Sequence, residues 1–226
     1  MSLVPRDTPA KTVFSSVPIS KETRLVIKRR TGQDCYTPSD LPEELDLSCC
    51  TDLVDVSALG DVKKLNLESC HHIVDVSMLG NIKYLNLSWC SRIKNIPIIG
   101  TMESLDLTGC GRIKNIVISG NIQTLHLLGC RKLTAVTILE EANVNWIDLG
   151  HCKQLTSIHI LGNTNAVFAT ECINLINIEV SKSVETLFFK DCVKLVDVSA
   201  LKNVKNISLK GCVSVTDFSA VPHASR

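Results

Sequence analysis

Eleven cysteines and six histidines stand out as the side chains able to do chemistry. Nine of the cysteines fall on one lattice: Cys50, Cys70, Cys90, Cys110, Cys130, Cys152, Cys172, Cys192 and Cys212. Every step is 20 residues except Cys130 to Cys152, which is 22. Three chemistries use cysteine: a zinc centre, disulfides and a reactive thiol. Zinc needs a tetrahedron, whereas thiols repeating once per coil project in a line, ~5 Å apart. Parallel Cβ vectors fit a disulfide dihedral badly. A buried thiol with no cation beside it is a poor nucleophile. The lattice cysteines are therefore expected to be structural and reduced. Each fills a corner after a strand and donates a weak S–H bond to a turn carbonyl. Cys35 and Cys49 lie off the lattice and are expected to be the reactive thiols. His71, His72 and His151 adjoin lattice cysteines and are expected to point outward. No histidine recurs beside an acid and a nucleophile in one coil, and no glycine-rich phosphate loop is present. The reading is non-enzymatic, with no metal and no cofactor.

A fixed period implies a repeated element. The template is L-x-L-x-x-C-x-x-L-x-x-V-x-x-L-G-N-V-x-x. After Cys50 its apolar positions hold Leu53, Val56, Leu59, Val62, Leu65 and Leu67. Twenty such residues cannot bury an apolar face alone, but stacked coils can. In the L-x-L strand, alternation turns Leu65 and Leu67 inward and Lys64, Asn66 and Glu68 outward. Nine coils ~4.8 Å apart make a rod on the order of 45 Å long. Gly60, Gly80, Gly100, Gly120 and Gly162 share one corner, where a positive φ is expected. Asp55, Asp75, Asn95, Asn115, Asn177, Asp197 and Asp217 share another, where they are expected to cap backbone N–H groups. The two extra residues, within Glu140 to Asn143, predict a bulge on the back.

L-x-L-x-x-C followed by C-x-x-L-x-x-V resembles the leucine-rich repeat family in its cysteine-bearing form, over about residues 41–221 and nine units. The D-V-S-x-L segments (Asp55–Leu59, Asp75–Leu79, Asp197–Leu201) resemble the internalin-like back side with its 3-10 turns. Such short cysteine-bearing repeats also resemble proteins of giant DNA viruses. The resemblance implies an α/β repeat solenoid, right-handed, with one short parallel strand per coil and 3-10 or turn segments on the back. It is mostly β and loop with little α-helix, and the family binds proteins on its strand face. The expected organisation is a flexible segment over 1–21, a capping coil over 22–40, the solenoid over 41–221 and a tail over 222–226. Leu25 and Ile27 lie one period before Leu45 and Leu47, with Arg30 at the cysteine position.

A net charge of +1 with 45% hydrophobic residues excludes a strongly basic nucleic-acid binder and a charged disordered chain. No apolar run approaches the ~20 residues of a membrane span, so no membrane partner is expected. The first twenty residues are too polar and proline-broken for an export signal. With an odd cysteine count, this points to a cytoplasmic, reducing home. Glycans at the sequons Asn86-Leu87-Ser88 and Asn206-Ile207-Ser208 would obstruct the strand face, which agrees.

Three surfaces compete for function. The outward strand positions become aromatic in the C-terminal half, and Tyr84, His126, Leu128, Trp146, Phe168 and Phe188 are the expected contacts with an unidentified partner protein. Contiguous aromatic patches mark interaction sites. Trp89 is expected to form a separate small contact or to pack on the neighbouring loop. The alternative is an anion site for nucleic acid or another polyanion at Arg92, Lys94, Arg112, Lys114, Arg131 and Lys132. The third reading is a self-associating component: nothing after Val221 reads as a strand or polar cap, so either the last half-coil folds back over Ile207 and Leu209 or the C-terminal end forms a homodimer.

Overall fold

A computed structural model describes residues 18–80, 82–96, 98 and 100–226. Among the described residues the chain is a parallel β-solenoid of nine rungs. Its front sheet takes one strand per rung, in chain order. These are Glu44–Asp46, Lys64–Asn66, Tyr84–Asn86, Thr101–Asp106, Asn121–His126, Asn143–Asp148, Asn163–Thr170, Thr186–Lys190 and Asn206–Ser208. The register pairs each residue with its equivalent one repeat on, as in Leu45 with Leu65 and Leu65 with Leu85. The inward row, Leu45 to Ile207, is buried, and so is the second row from Leu47 to Leu209. Burial on the scale of ~25 cal/mol per Å² of apolar surface is what holds coil to coil.

The back is more regular than turns alone. The central coils form a second parallel sheet from Asn115–Ile118, Ala135–Ile138, Ser157–Ile160 and Asn177–Val180. The cause is local. In three coils that read Asp-x-Ser, the Asp carboxylate accepts the Ser N–H two residues on and a 3-10 turn follows; at Asp217 the same bond leads into an ordinary turn. This holds at Ser57–Leu59, Ser77–Leu79 and Ser199–Leu201, with bonds of 3.0, 2.9 and 2.8 Å from Asp55, Asp75 and Asp197. The central coils read N-I-V-I, A-V-T-I, S-I-H-I and N-I-E-V instead. Alternating β-branched residues without the Asp–Ser pair continue as strands. The insertion sits in a tight turn at the corner between sheets, where Ala142 N–H donates to Leu139 O at 3.0 Å, rather than in a bulge on the back strand.

The glycine corner is a correction. Gly60 and Gly80 are right-handed, at φ −63° and −67°. Close approach of the next coil excludes a side chain there: a Cβ on Gly60 would lie 2.6 Å from Met78 O. The left-handed residues are those immediately before the lattice cysteines. Cys49, Ser69, Trp89, His151, Glu171 and Asp191 have φ of 55–61°, and Gly109, Gly129 and Gly211 of 68–74°.

The N-terminal segment differs from expectation, and at the C-terminal end one of the two alternatives is seen. The segment expected as a capping coil opens with a helix, Lys21–Thr31, capped by Ser20 and closed by left-handed Gly32. Ile27 is buried, Leu25 is 52% exposed, and Thr23 Oγ1 donates to Asp55 O at 2.7 Å. The Ser20 cap and the helix-favouring run K-E-T-R-L-V-I-K-R-R override the strand reading. Residues 1–17 of the expected flexible segment lie outside the described residues. At the other end, the tail is part of the last turn. Ser225 bridges Ser208, Leu209 N–H donates to Ser225 O at 2.8 Å and Ser225 N–H to Ile207 O at 2.9 Å. Arg226 stacks on Phe218 at 4.1 Å. The last edge is therefore partly paired by the chain itself.

Candidate functional site

The lattice thiols form one continuous internal ladder. Cys70 Sγ donates to Leu47 O at 3.0 Å, Cys90 to Leu67 O at 3.1 Å and Cys110 to Leu87 O at 3.1 Å. Cys130, Cys152, Cys172 and Cys192 repeat the bond at 3.0–3.2 Å. Cys212 reaches Phe189 O at 3.8 Å. Each acceptor is the carbonyl where the preceding strand turns away. Leu47 O, for example, also receives the Cys50 N–H of its own coil at 3.3 Å. Burial pushes the Cys70 thiol up to about 11, and Cys90 and Cys110 up to about 12. None of the eleven cysteines is in a disulfide.

The first rung differs, because no coil precedes it. Cys50 is half-buried, and Arg30 Nε lies 3.3 Å from its Sγ while the same guanidinium donates to Ser48 O. Arg30 at the cysteine position thus plugs the first corner from the helix. Cys35 is a correction: it is buried, bonded to Asp40 O at 3.4 Å, and burial raises its pKa. The accessible thiols are Cys49 and Cys50.

On the front face, four of the expected contacts form a row of tilted rings. Ring centroids are 5.0 Å apart for His126–Trp146, 5.2 Å for Trp146–Phe168 and 6.0 Å for Phe168–Phe188. Trp146 lies in the row before the other three, between Thr124 and Ala166. These small neighbours leave the indole room to lean diagonally onto His126 and Phe168. Phe188 is 40% exposed, and Leu128 borders the run over Gly150. Tyr84 stands apart. Ser104 and Thr124 separate it from Trp146, and Lys64 and Lys83 approach its ring at 5.5 and 5.7 Å.

No protein-family model and no curated protein matches the chain.

The row that carries His126, Phe168 and Phe188 has another use in most rungs. Asp46, Asn66, Asn86, Asp106 and Asp148 accept the N–H two residues on, at 2.8–3.1 Å, and so bend the chain toward its left-handed corner. The rungs of His126, Phe168 and Phe188 lack that bond, while the rung of Trp146 keeps it through Asp148. Sequence reasoning missed this, although the D/N run at one strand position carried the signal. It also missed exposed apolar residues after the last cysteines, Ile173, Val193 and Val213 one residue on and Ile176 and Val196 four residues on. Among the described residues, no three His, Cys, Asp or Glu side chains gather to hold a metal ion. No described helix is long and apolar enough to cross a membrane.

The six expected anion-site cations are all exposed on the edge that follows Cys90, Cys110 and Cys130. Trp89 lies next to them, its indole over Gly109.

Proposed function

We propose that the chain is a non-enzymatic, leucine-rich-repeat-type module that binds a partner protein through its front face, in a reducing intracellular compartment. The observation that carries this reading is the aromatic run. At His126, Phe168 and Phe188 a side chain that would close the turn is replaced by a ring, and Trp146 joins those rings into one surface. Local stability favours Asp or Asn there, so the rings answer to something outside the fold. Large aromatic side chains on a rigid scaffold are the usual anchors of protein interfaces. The unpaired, buried thiols support a reducing home.

The test is affinity capture with the full chain and a Trp146→Ala/Phe188→Ala variant of unchanged melting behaviour. Each anchor removed should cost about 2 kcal/mol of binding, so the double variant should lose the wild-type partner. A partner retained by the double variant and lost by Arg112→Glu would move the function to the basic edge.

A further inference from the structure

The edge beyond the cysteines carries a charge pattern that the fold does not explain. Elsewhere the molecule stacks opposite charges one coil apart: Lys63 on Glu43, Lys64 on Glu44 and Lys205 on Glu185, each at 2.6 Å. On this edge like is stacked on like. Arg92, Arg112 and Lys132 hold the second position after three successive ladder cysteines, Lys94 and Lys114 the fourth position, and Arg131 the first. None of the six forms an ion pair with an acid among the described residues. Coils ~4.8 Å apart lie within the Debye length of ~8 Å at physiological salt, so the repulsion is only partly screened. Stacked like charges destabilise neighbouring strands. A chain of net charge +1 has acids enough to avoid the arrangement, and a bound polyanion removes its cost.

A second, independent feature adjoins the stack. Trp89 sits at a left-handed corner with φ 61° and is 51% exposed. Its ring lies so close over Gly109 that a Cβ there would fall 2.6–2.9 Å from the ring carbons. Gly109 is three residues before Arg112, and Trp89 three before Arg92. One face of the ring thus packs on the next coil at Gly109, and the rest of it stays open to solvent at the margin of the cations.

We propose that this edge is a track for single-stranded nucleic acid, with phosphates along Arg92, Arg112 and Lys132 and one base stacked on Trp89. Cations in file beside an exposed aromatic ring are the two parts of sequence-tolerant single-strand binding. The ring selects among polyanions. A duplex keeps its base faces stacked internally, and an acidic protein segment has no base to offer. The track follows the ladder cysteines, whereas Trp146, Phe168 and Phe188 stand on the front strands, so the two functions separate by substitution.

The test is fluorescence anisotropy of a labelled oligo(dT) of about 16 nucleotides titrated with the full chain at about 50 mM salt. Arms with a duplex of equal length and with poly-glutamate run alongside, and thermal melts establish that each variant is folded. Single-strand binding should weaken with salt, with a log–log slope approaching about −4 if all six cations meet phosphates. Arg92→Glu/Arg112→Glu should lower affinity at least about tenfold. Trp89→Ala should lower it about fivefold to a hundredfold, and Trp89→Phe should restore most of the loss. The proposal is overturned if the oligonucleotide gives no anisotropy change at low salt, or if folded variants bind as the wild type does. Tighter binding of poly-glutamate than of oligo(dT) would overturn it in favour of an acidic protein partner.

Discussion

Each ladder cysteine from Cys70 on donates to a carbonyl of the coil before it, where the chain leaves the front sheet. Alanine at Cys110 would remove the donor and leave a void, while a valine would crowd a corner shared with its neighbours. Burial keeps these thiols protonated. At Cys90 and Cys110 the folded pKa is about 12 against an ordinary 9.0, so above pH 9 the unfolded chain gives up protons that the folded chain keeps. The stability tied to these groups is therefore whole below about pH 9 and falls as pH rises toward 12, by about 1.4 kcal/mol per pH unit for each thiol. Urea midpoints in reductant should drop between about pH 8.5 and 10.5. A Cys90→Ala/Cys110→Ala variant should start lower and drop less; parallel losses in both proteins would place the effect elsewhere. The same burial predicts selective labelling. In the native protein at neutral pH a maleimide should modify Cys49 and Cys50 quickly, and Cys35 and the remaining ladder thiols only on unfolding, read by intact mass.

The left-handed corner before each cysteine is the element that turns strand into back. Six of its nine residues are not glycine, and each such residue carries roughly 1 kcal/mol of backbone strain. Ser69→Gly should therefore raise stability by about 1 kcal/mol, measured as a higher urea midpoint. No gain would mean that the Ser69 side chain itself holds the corner. This corner shows what the sequence could and could not convey. The strand alternation, the inward leucines and the outward aromatic row follow directly from period and polarity, and the structure places Trp146, Phe168 and Phe188 side by side as their spacing requires. The repeated Gly60 and Gly80 drew attention to the wrong corner, because a recurring glycine does not say whether φ or close approach excludes a side chain. The helix over Lys21–Thr31 was hidden because Leu25 and Ile27 mimic the L-x-L spacing, which a helix also tolerates. The back strands were hidden by the Asp–Ser turns of the outer coils, whose absence from the central coils is visible only when the coils are compared one by one.

At the scale of the molecule, each coil contacts its neighbours, and the ends are closed by different means. A helix with Arg30 plugs the first corner, and the last residues pair with the final strand. Between those ends the surface is divided. The front face opens with polar residues and lysine–glutamate pairs and carries its aromatic rings toward the C-terminal end, before a last polar strand, while the edge behind the cysteines holds cations in its middle and Ile176, Val196 and Val213 further on. The internal ladder needs none of these outward residues, so the outward variation is free to answer to partners. Site-specific photo-cross-linking tests this most directly. A benzophenone amino acid is placed at position 188 in the aromatic run, and separately at position 196 among the exposed apolar residues after the last cysteines, in the full chain within its own cellular extract. A covalent adduct with a second protein from position 188, suppressed by Trp146→Ala and absent from position 196, is the result the aromatic-face account predicts. Adducts at position 196 alone, or equal adducts at both positions that ignore Trp146→Ala, would contradict it.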